Sequence, residues 1–271
     1  MSNFTPSKVR TSTLAELKAS GKKFSCLTSY DSLTAAIFDE AGIDVLLVGD
    51  SAADNALGYS TTLPITVEEM IPFARAVAGA AKRSLVVVDL PFGSYETGAE
   101  DALRNSIRII KQSGAAAVKL EGGRERSAQI EAIVSAGIPV MGHLGFTPQS
   151  VNSLGGFKVQ GRGDKAELLM QDALALEKAG AFAIVLELVP TDIAGAVSEA
   201  LSIPTIGIGA GPKTDGQILV WTDFAGLSGH KPRKFVKQFA QMRGMLVEAA
   251  ASYKKEVENA SFPDENTSFA E

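Results

Sequence analysis

The sequence predicts an α/β protein, a (β/α)8 or TIM barrel, with a short N-terminal helix and a mobile acidic C-terminal tail. Three observations carry that prediction. Short apolar runs rich in β-branched residues alternate with segments of helical period, the order of a parallel sheet. Eight such runs fall within about 250 residues, the usual size of one barrel. Five of them are closed by an ionisable residue, and in barrels the reactive groups sit at the C-terminal ends of the strands.

Residues 11–20 read as the leading helix, with Leu14 and Leu17 on one face and Gly21 as the stop. Residues 24–28 are the first strand and 32–40 the next helix, closed by Gly42. Residues 45–48 are uniformly apolar, as in a strand buried on both faces. The loop from Gly49 to Thr66 is longer than most strand–helix connections. Tyr59, Leu63, Pro64 and Ile65 argue against disorder, so it reads as a binding loop. Thr66 and Glu69 have capping-box spacing, and the helix they open contains Pro72, where a kink is expected.

Strand 85–88 leads into Asp89, helix 99–112 follows, and strand 116–120 carries Lys119 and leads into Glu121. Helix 125–135 precedes strand 138–141, which runs to Gly142 and His143. A second long loop, LGFTPQSVNSLGGFKVQGRG, ends where Asp164 caps a helix to residue 179. Strand 182–186 leads into Glu187, and helix 192–200 takes Thr191 as its N-cap. Strands 205–208 and 218–221 complete the eight, and residues 233–254 form a long amphipathic helix. The connection from Ile208 to Ile218 is too short for a full helix. The competing fold, an open doubly wound sheet, needs a glycine-rich phosphate turn after the first strand; Thr28-Ser29-Tyr30-Asp31 is not one, and GIGAGP at 207–212 comes too late. Residues 1–254 are read as a single barrel domain and 255–271 as the tail, because residues 256–271 hold five acidic and no basic residues.

With 45% hydrophobic and 21% charged residues, the chain has the composition of a soluble globular protein with one large core. A net charge of −5 offers no basic field for nucleic acid. The one cysteine, Cys26, excludes an internal disulfide or a multi-cysteine metal site and reads as core filling. No run of 18 apolar residues and no signal-type core occur, so no membrane association and a cytoplasmic location are expected.

Asp50, Asp89, Glu121, His143 and Glu187 stand at the ends of five strands. One aspartate after a strand is usually a helix cap; five ionisable ends together point to a site. Three clustered carboxylates repel and need a cation to stay ionised, and an all-oxygen set suits Mg²⁺ before Ca²⁺. Zinc is disfavoured because His143 and His230 are the only nitrogen ligands. Lys119 shares a strand face with Glu121, the barrel interior, either as the ion partner of a carboxylate or as a contact to a substrate carboxylate or enolate. Glu187 ends an apolar run; that setting would raise its pKa and suit it to proton transfer, unless it is salt-bridged. His143 is a core histidine or a substrate contact.

Several stretches, among them VGDS at 48–51, GYSTTLPIT at 58–66, DLPFGSY at 89–95, VKLEGG at 118–123, GHLGFTPQSVNSLGGFKVQGRG at 142–163, LELVP at 186–190 and IGIGAGPKTDGQILV at 206–220, closely resemble the ketopantoate hydroxymethyltransferase family. The resemblance implies a (β/α)8 barrel assembled into a homodecamer. It implies transfer of a one-carbon unit from 5,10-methylenetetrahydrofolate to 3-methyl-2-oxobutanoate, giving 2-dehydropantoate in pantothenate biosynthesis. By position it makes Asp50 and Asp89 Mg²⁺ ligands, with Glu121 acting on the metal, partly through water. It gives Asp50, Ser51, Asp89 and Lys119 to the keto acid and makes Glu187 the proton acceptor. A rival enzyme reading is a Mg²⁺-dependent carbon–carbon lyase acting on 2-oxo acids, resembling phosphoenolpyruvate mutase and isocitrate lyase; such lyases carry a cysteine on an active-site loop, whereas Cys26 lies in a strand. A non-enzymatic assembly subunit is the third reading, opposed by the cost of gathering five ionisable strand ends without a ligand.

Overall fold

The computed structural model describes residues 7–269 except 157 and 230, so the sequence reading of His230 lies outside the described residues. Eight parallel strands close into a barrel in chain order: β1 Phe24–Thr28, β2 Val45–Val48, β3 Leu85–Asp89, β4 Ala117–Glu121, β5 Val140–Gly145, β6 Ala183–Glu187, β7 Thr205–Ile208 and β8 Gly216–Leu219. The helices are α1 Thr11–Ala19, α2 Ser32–Glu40, α3 Ala52–Asn55, α4 Val67–Ala80, α5 Ala99–Ser113, α6 Ser127–Ser135, α7 Val151–Leu154, α8 Lys165–Lys178, α9 Thr191–Ala200, α10 Trp221–Phe224 and α11 Met242–Glu258. The barrel expected from the sequence is formed, and the competing open sheet is excluded, because β1 pairs with both β2 and β8.

Most elements form where the periodicity places them, for visible reasons. The capping box that opens α4 is made: Thr66 Oγ1 accepts from Glu69 N at 3.2 Å, and Glu69 Oε2 accepts from Thr66 N at 2.8 Å. Pro72 sits inside α4. The binding loop after β2 is not all loop, since α3 folds within it. β5 runs later than the expected 138–141, because Glu121 pairs with His143 and Glu187 with Gly145, which draws Gly142 to Gly145 into the sheet. Asp164 precedes α8 but makes no side-chain cap, and Pro190, not Thr191, holds the N-cap of α9. As anticipated, no helix connects β7 to β8. Asp215 closes that short connection: its Oδ2 accepts from Thr205 N at 2.8 Å and pairs with Lys18 of α1 at 2.8 Å. The chain before α1 donates Val9 N to Arg83 O at 2.8 Å, ahead of β3. These contacts cover strand N-termini and leave the C-terminal mouth to the loops.

The chain forms two compact units, Met1–Val220 with the barrel and Trp221–Glu271. In the second, the long helix is displaced from the expected 233–254 to α11. Phe239 stacks on Phe224 at 5.2 Å and its N–H donates to Phe224 O at 2.8 Å, so this packing overrides helical propensity before residue 242. At the other end, the Lys254–Glu258 pair at 2.9 Å, one turn apart, extends the helix beyond residue 254. No helix among the described residues is long and apolar enough to cross a membrane.

Candidate functional site

In a parallel barrel, residues in register on adjacent strands point to the same face. The register places Asp89 beside Lys119, Glu121 beside His143, and Glu187 beside Gly145. The strand-end residues therefore meet at the interior of the mouth. Asp50, Asp89, Lys119, Glu121, His143 and Glu187 are all between 2% and 9% exposed, so their charges must compensate one another.

They do so through a chain of contacts. Asp89 Oδ1 lies 2.8 Å from Lys119 Nζ, and its Oδ2 accepts from Asp50 N at 3.0 Å. Lys119 Nζ is 3.3 Å from His143 Nδ1, which is 3.2 Å from Glu121 Oε1. On its other side, His143 Nε2 is 3.3 Å from Glu187 Oε2. Glu187 therefore has a charge partner from the neighbouring strand, which the apolar run before it did not reveal. Lys119 is ion-paired as one of the two sequence readings held, and its position at the mouth leaves the substrate reading open to test.

The protonation states follow from burial and charge. Burial together with Asp89 and Glu121 pushes Asp50 well above the ordinary carboxylate range. Burial raises Asp89 too, against the pull of Lys119. Burial would lower Lys119, but Asp89, Glu121 and Asp50 outweigh it and hold the ammonium above its usual value. Burial and Lys119 would lower His143, yet Glu121 and Glu187 prevail and push it up to about 9. Burial would raise Glu121, but His143, Lys119 and the Gln149 N–H hold it down.

Ser51 lies one residue before α3 with its Oγ 2.8 Å from the Tyr30 hydroxyl, at the end of β1. A side chain at Gly49 would meet both Ser51 Oγ and Asp89 Oδ2, so Ser51 belongs to the same cluster and residue 49 must stay small. Gly145 is equally constrained: at φ 91° a Cβ there would collide with the Glu187 carbonyl oxygen, which accepts from Phe146 N at 2.8 Å. Immediately after Glu187, Leu188 takes a positive φ of 49°, held by its N–H to Ile208 O and its O from Gln160 N, both 2.9 Å. Such strain beside a reactive residue costs about 1–3 kcal/mol and persists only where the surroundings enforce it.

The sequence reading missed Tyr30, Tyr95, Gln149 and Leu188. Gln149, in the loop after β5, donates Nε2 to Asp50 Oδ2 at 2.9 Å and its backbone N–H to Glu121 Oε2 at 3.0 Å. No spacing rule reports a loop glutamine; the length of the loop was the one signal available. Cys26 is buried within β1, where burial raises its thiol pKa, in line with a filling role.

No three His, Cys, Asp or Glu groups among the described residues are gathered closely enough to hold a metal ion unaided. Mg²⁺ asks for less, since it typically takes one or two carboxylates and completes its shell with water and substrate oxygens. Asp50 and Asp89 fit that demand: both are hard oxygen donors, and the buried Asp89 Oδ1 is engaged by the Lys119 ammonium alone. Both oxygens of Glu121 already have partners, His143 and Gln149, which suits contact through water.

Residues 8–265 match the family model of ketopantoate hydroxymethyltransferase. The chain is 59% identical over 264 residues to a 3-methyl-2-oxobutanoate hydroxymethyltransferase of Leifsonia xyli, covering 97% of this chain and 95% of that one. A relative of the same name from Saccharopolyspora erythraea is 57% identical over 262 residues, covering 97% and 89%. Among solved structures, 2,3-dimethylmalate lyase, a member of the PEP mutase/isocitrate lyase superfamily, superposes with a TM-score of 0.60 at 18% identity over 96% of this chain and 91% of that one. At that identity the likeness shows the fold alone.

Proposed function

The chain belongs to the ketopantoate hydroxymethyltransferase family, and on that premise we propose how its residues divide the addition of a hydroxymethyl group to 3-methyl-2-oxobutanoate. The activity is that of an enzyme giving 2-dehydropantoate, a step toward pantothenate. The observation that carries the division of labour is the buried contact chain from Asp89 through Lys119 and His143 to Glu187. It supports a cation-holding end and a proton-accepting end.

In this reading Asp50 and Asp89 hold Mg²⁺, with Glu121 acting on it through water. Asp50, Ser51, Asp89, Lys119 and His143 line the oxo-acid site. Bound Mg²⁺ would supply a Lewis acid toward the carboxylate and keto oxygens of the oxo acid, easing loss of the C3 proton. Glu187 accepts that proton, a role worth typically 10²- to 10⁴-fold. Lys119 stays protonated through its three carboxylate neighbours and offsets the negative charge that develops on substrate oxygen. His143 holds the Glu187 carboxylate in place from one side. C3 then bonds to the one-carbon unit of 5,10-methylenetetrahydrofolate, water supplies the hydroxyl oxygen, and tetrahydrofolate leaves. A cytoplasmic homodecamer is part of the same proposal, carried by family membership.

The test follows the C3 proton of 3-methyl-2-oxobutanoate by NMR in deuterated water. Wild type with Mg²⁺ exchanges it and, given tetrahydrofolate and formaldehyde, forms 2-dehydropantoate. Glu187→Gln keeps Mg²⁺ and oxo-acid binding but loses exchange by about 10²-fold or more. Unchanged exchange in that variant removes Glu187 from the role. Exchange without transfer moves the reading to the lyase.

A further inference from the structure

We propose that Gln149 and Tyr95 form a positioning clamp that sets the Asp50 and Glu121 carboxylates for the metal and ties the loop after β5 to that site. The inference rests on the magnesium reading above. Gln149 is buried, and its amide makes three hydrogen bonds to neighbours of the site. Its Nε2 donates to Asp50 Oδ2 at 2.9 Å and to Leu90 O at 3.0 Å, while its Oε1 accepts from the Tyr95 hydroxyl at 2.5 Å. Leu90 O offers an acceptor only, so the amide faces it with nitrogen alone, and its orientation is fixed. The backbone N–H of the same residue donates to Glu121 Oε2 at 3.0 Å.

Tyr95 completes the clamp from the loop after β3. Its hydroxyl proton goes to Gln149, and its oxygen accepts the Glu121 N–H at 3.2 Å. Its ring is held by Arg126, 5.6 Å from the centroid, and its carbonyl by Gln129 Nε2 at 3.3 Å. Two residues thus fix one carboxylate beyond β2 and another on β4. Four residues of loop, Phe146 to Gln149, reach from the Glu187 carbonyl to the Asp50 carboxylate. A neutral amide is the group this place needs. Glutamate would add another buried anion beside Asp50 and Glu121, and an apolar side chain would leave Asp50 Oδ2 without its amide donor. Gln149 and Tyr95 make no contact to substrate in this scheme; they act through Asp50 and Glu121, and such outer partners typically hold 10- to 100-fold in metal affinity or activity.

The test measures binding of Mn²⁺, as a paramagnetic stand-in for Mg²⁺, to the full chain by electron paramagnetic resonance, with circular dichroism to check the fold. Gln149→Met, which keeps the length and removes the amide, weakens Mn²⁺ binding by about 10- to 100-fold. Its turnover recovers toward wild type as Mg²⁺ is raised, which a purely structural lesion would not do. Tyr95→Phe weakens binding by about fivefold, the worth of one hydrogen bond. The double variant loses less than the product of the two single effects, because the Tyr95–Gln149 hydrogen bond is shared between them. A folded Gln149→Met that binds Mn²⁺ within about twofold of wild type overturns the inference alone. If Gln149→Met does not fold, unchanged Mn²⁺ affinity in Tyr95→Phe overturns it. A wild-type chain that binds no Mn²⁺ overturns the magnesium reading and the inference with it.

Discussion

Replacing Lys119 by methionine tests the electrostatic design of the mouth. Lys119 and Asp89 are 2.8 Å apart, with side chains 4% and 3% exposed. At that separation and an effective dielectric constant near 20, the gross attraction is about 6 kcal/mol. Much of it offsets desolvation, but removing one partner leaves the other buried and uncompensated, which costs about 3–5 kcal/mol. For a chain of this size the midpoint of thermal unfolding falls by about 6–20 °C. The variant also has a signature in pH. Without Lys119, Asp89 is left with burial and the nearby carboxylates, so its folded pKa lies further above the unfolded value. A raised carboxyl contributes stability below its unfolded pKa and loses it as pH rises through the folded pKa. The deficit relative to wild type is therefore largest near pH 8 and shrinks on acidification toward pH 5. Saturating Mg²⁺ shrinks it as well, since a divalent cation replaces the missing charge. Urea unfolding of both proteins at the two pH values, with and without Mg²⁺, gives the four numbers required. A deficit below about 1 kcal/mol at pH 8, or one indifferent to pH, would refute the argument that this ion pair holds the Asp89 carboxyl down against burial.

Other outcomes follow from the same geometry. Gly145→Ala drives a methyl group into the Glu187 carbonyl and costs at least about 2 kcal/mol; it also slows C3 exchange, and a variant with wild-type stability and exchange shows that the β5–β6 contact does not position the base. His143, pushed up from 6.5 to about 9, contributes stability in the metal-free protein that is complete below pH 6.5 and lost as pH rises through about 9. The contribution is about 3 kcal/mol and is absent from His143→Asn, so parallel stability–pH curves for the two proteins count against it. Mg²⁺ and 3-methyl-2-oxobutanoate together raise the unfolding temperature more than the sum of their separate effects, because each completes the other's site. Strict additivity in a thermal-shift titration shows two independent sites.

The parts of this chain that were legible in its sequence are those where local chemistry and the tertiary environment agree. β1, β2 and β7 begin and end where the sequence places them, and β2 does so as a uniformly apolar run, because a strand buried on both faces needs nothing else. The strand-end residues could be gathered before the structure because alternation along β4 and the barrel rule place Lys119 and Glu121 inside together. What was hidden depends on contacts between distant segments. His143 extends β5 beyond its apolar run because Glu121 is opposite, and Glu187 gains a charge partner only when β5 lies beside β6. Gln149 is the extreme case: it follows Asp50 by 99 positions, and nothing in PQSVNS marks it out. A barrel can recruit such a residue because its loops need satisfy no period, only reach. The carboxylates are therefore where the fold's repeat puts them, while the group that aims one of them comes from a loop that the repeat leaves free. That division explains why a reading by periodicity finds the charges of this site and not the device that orients them.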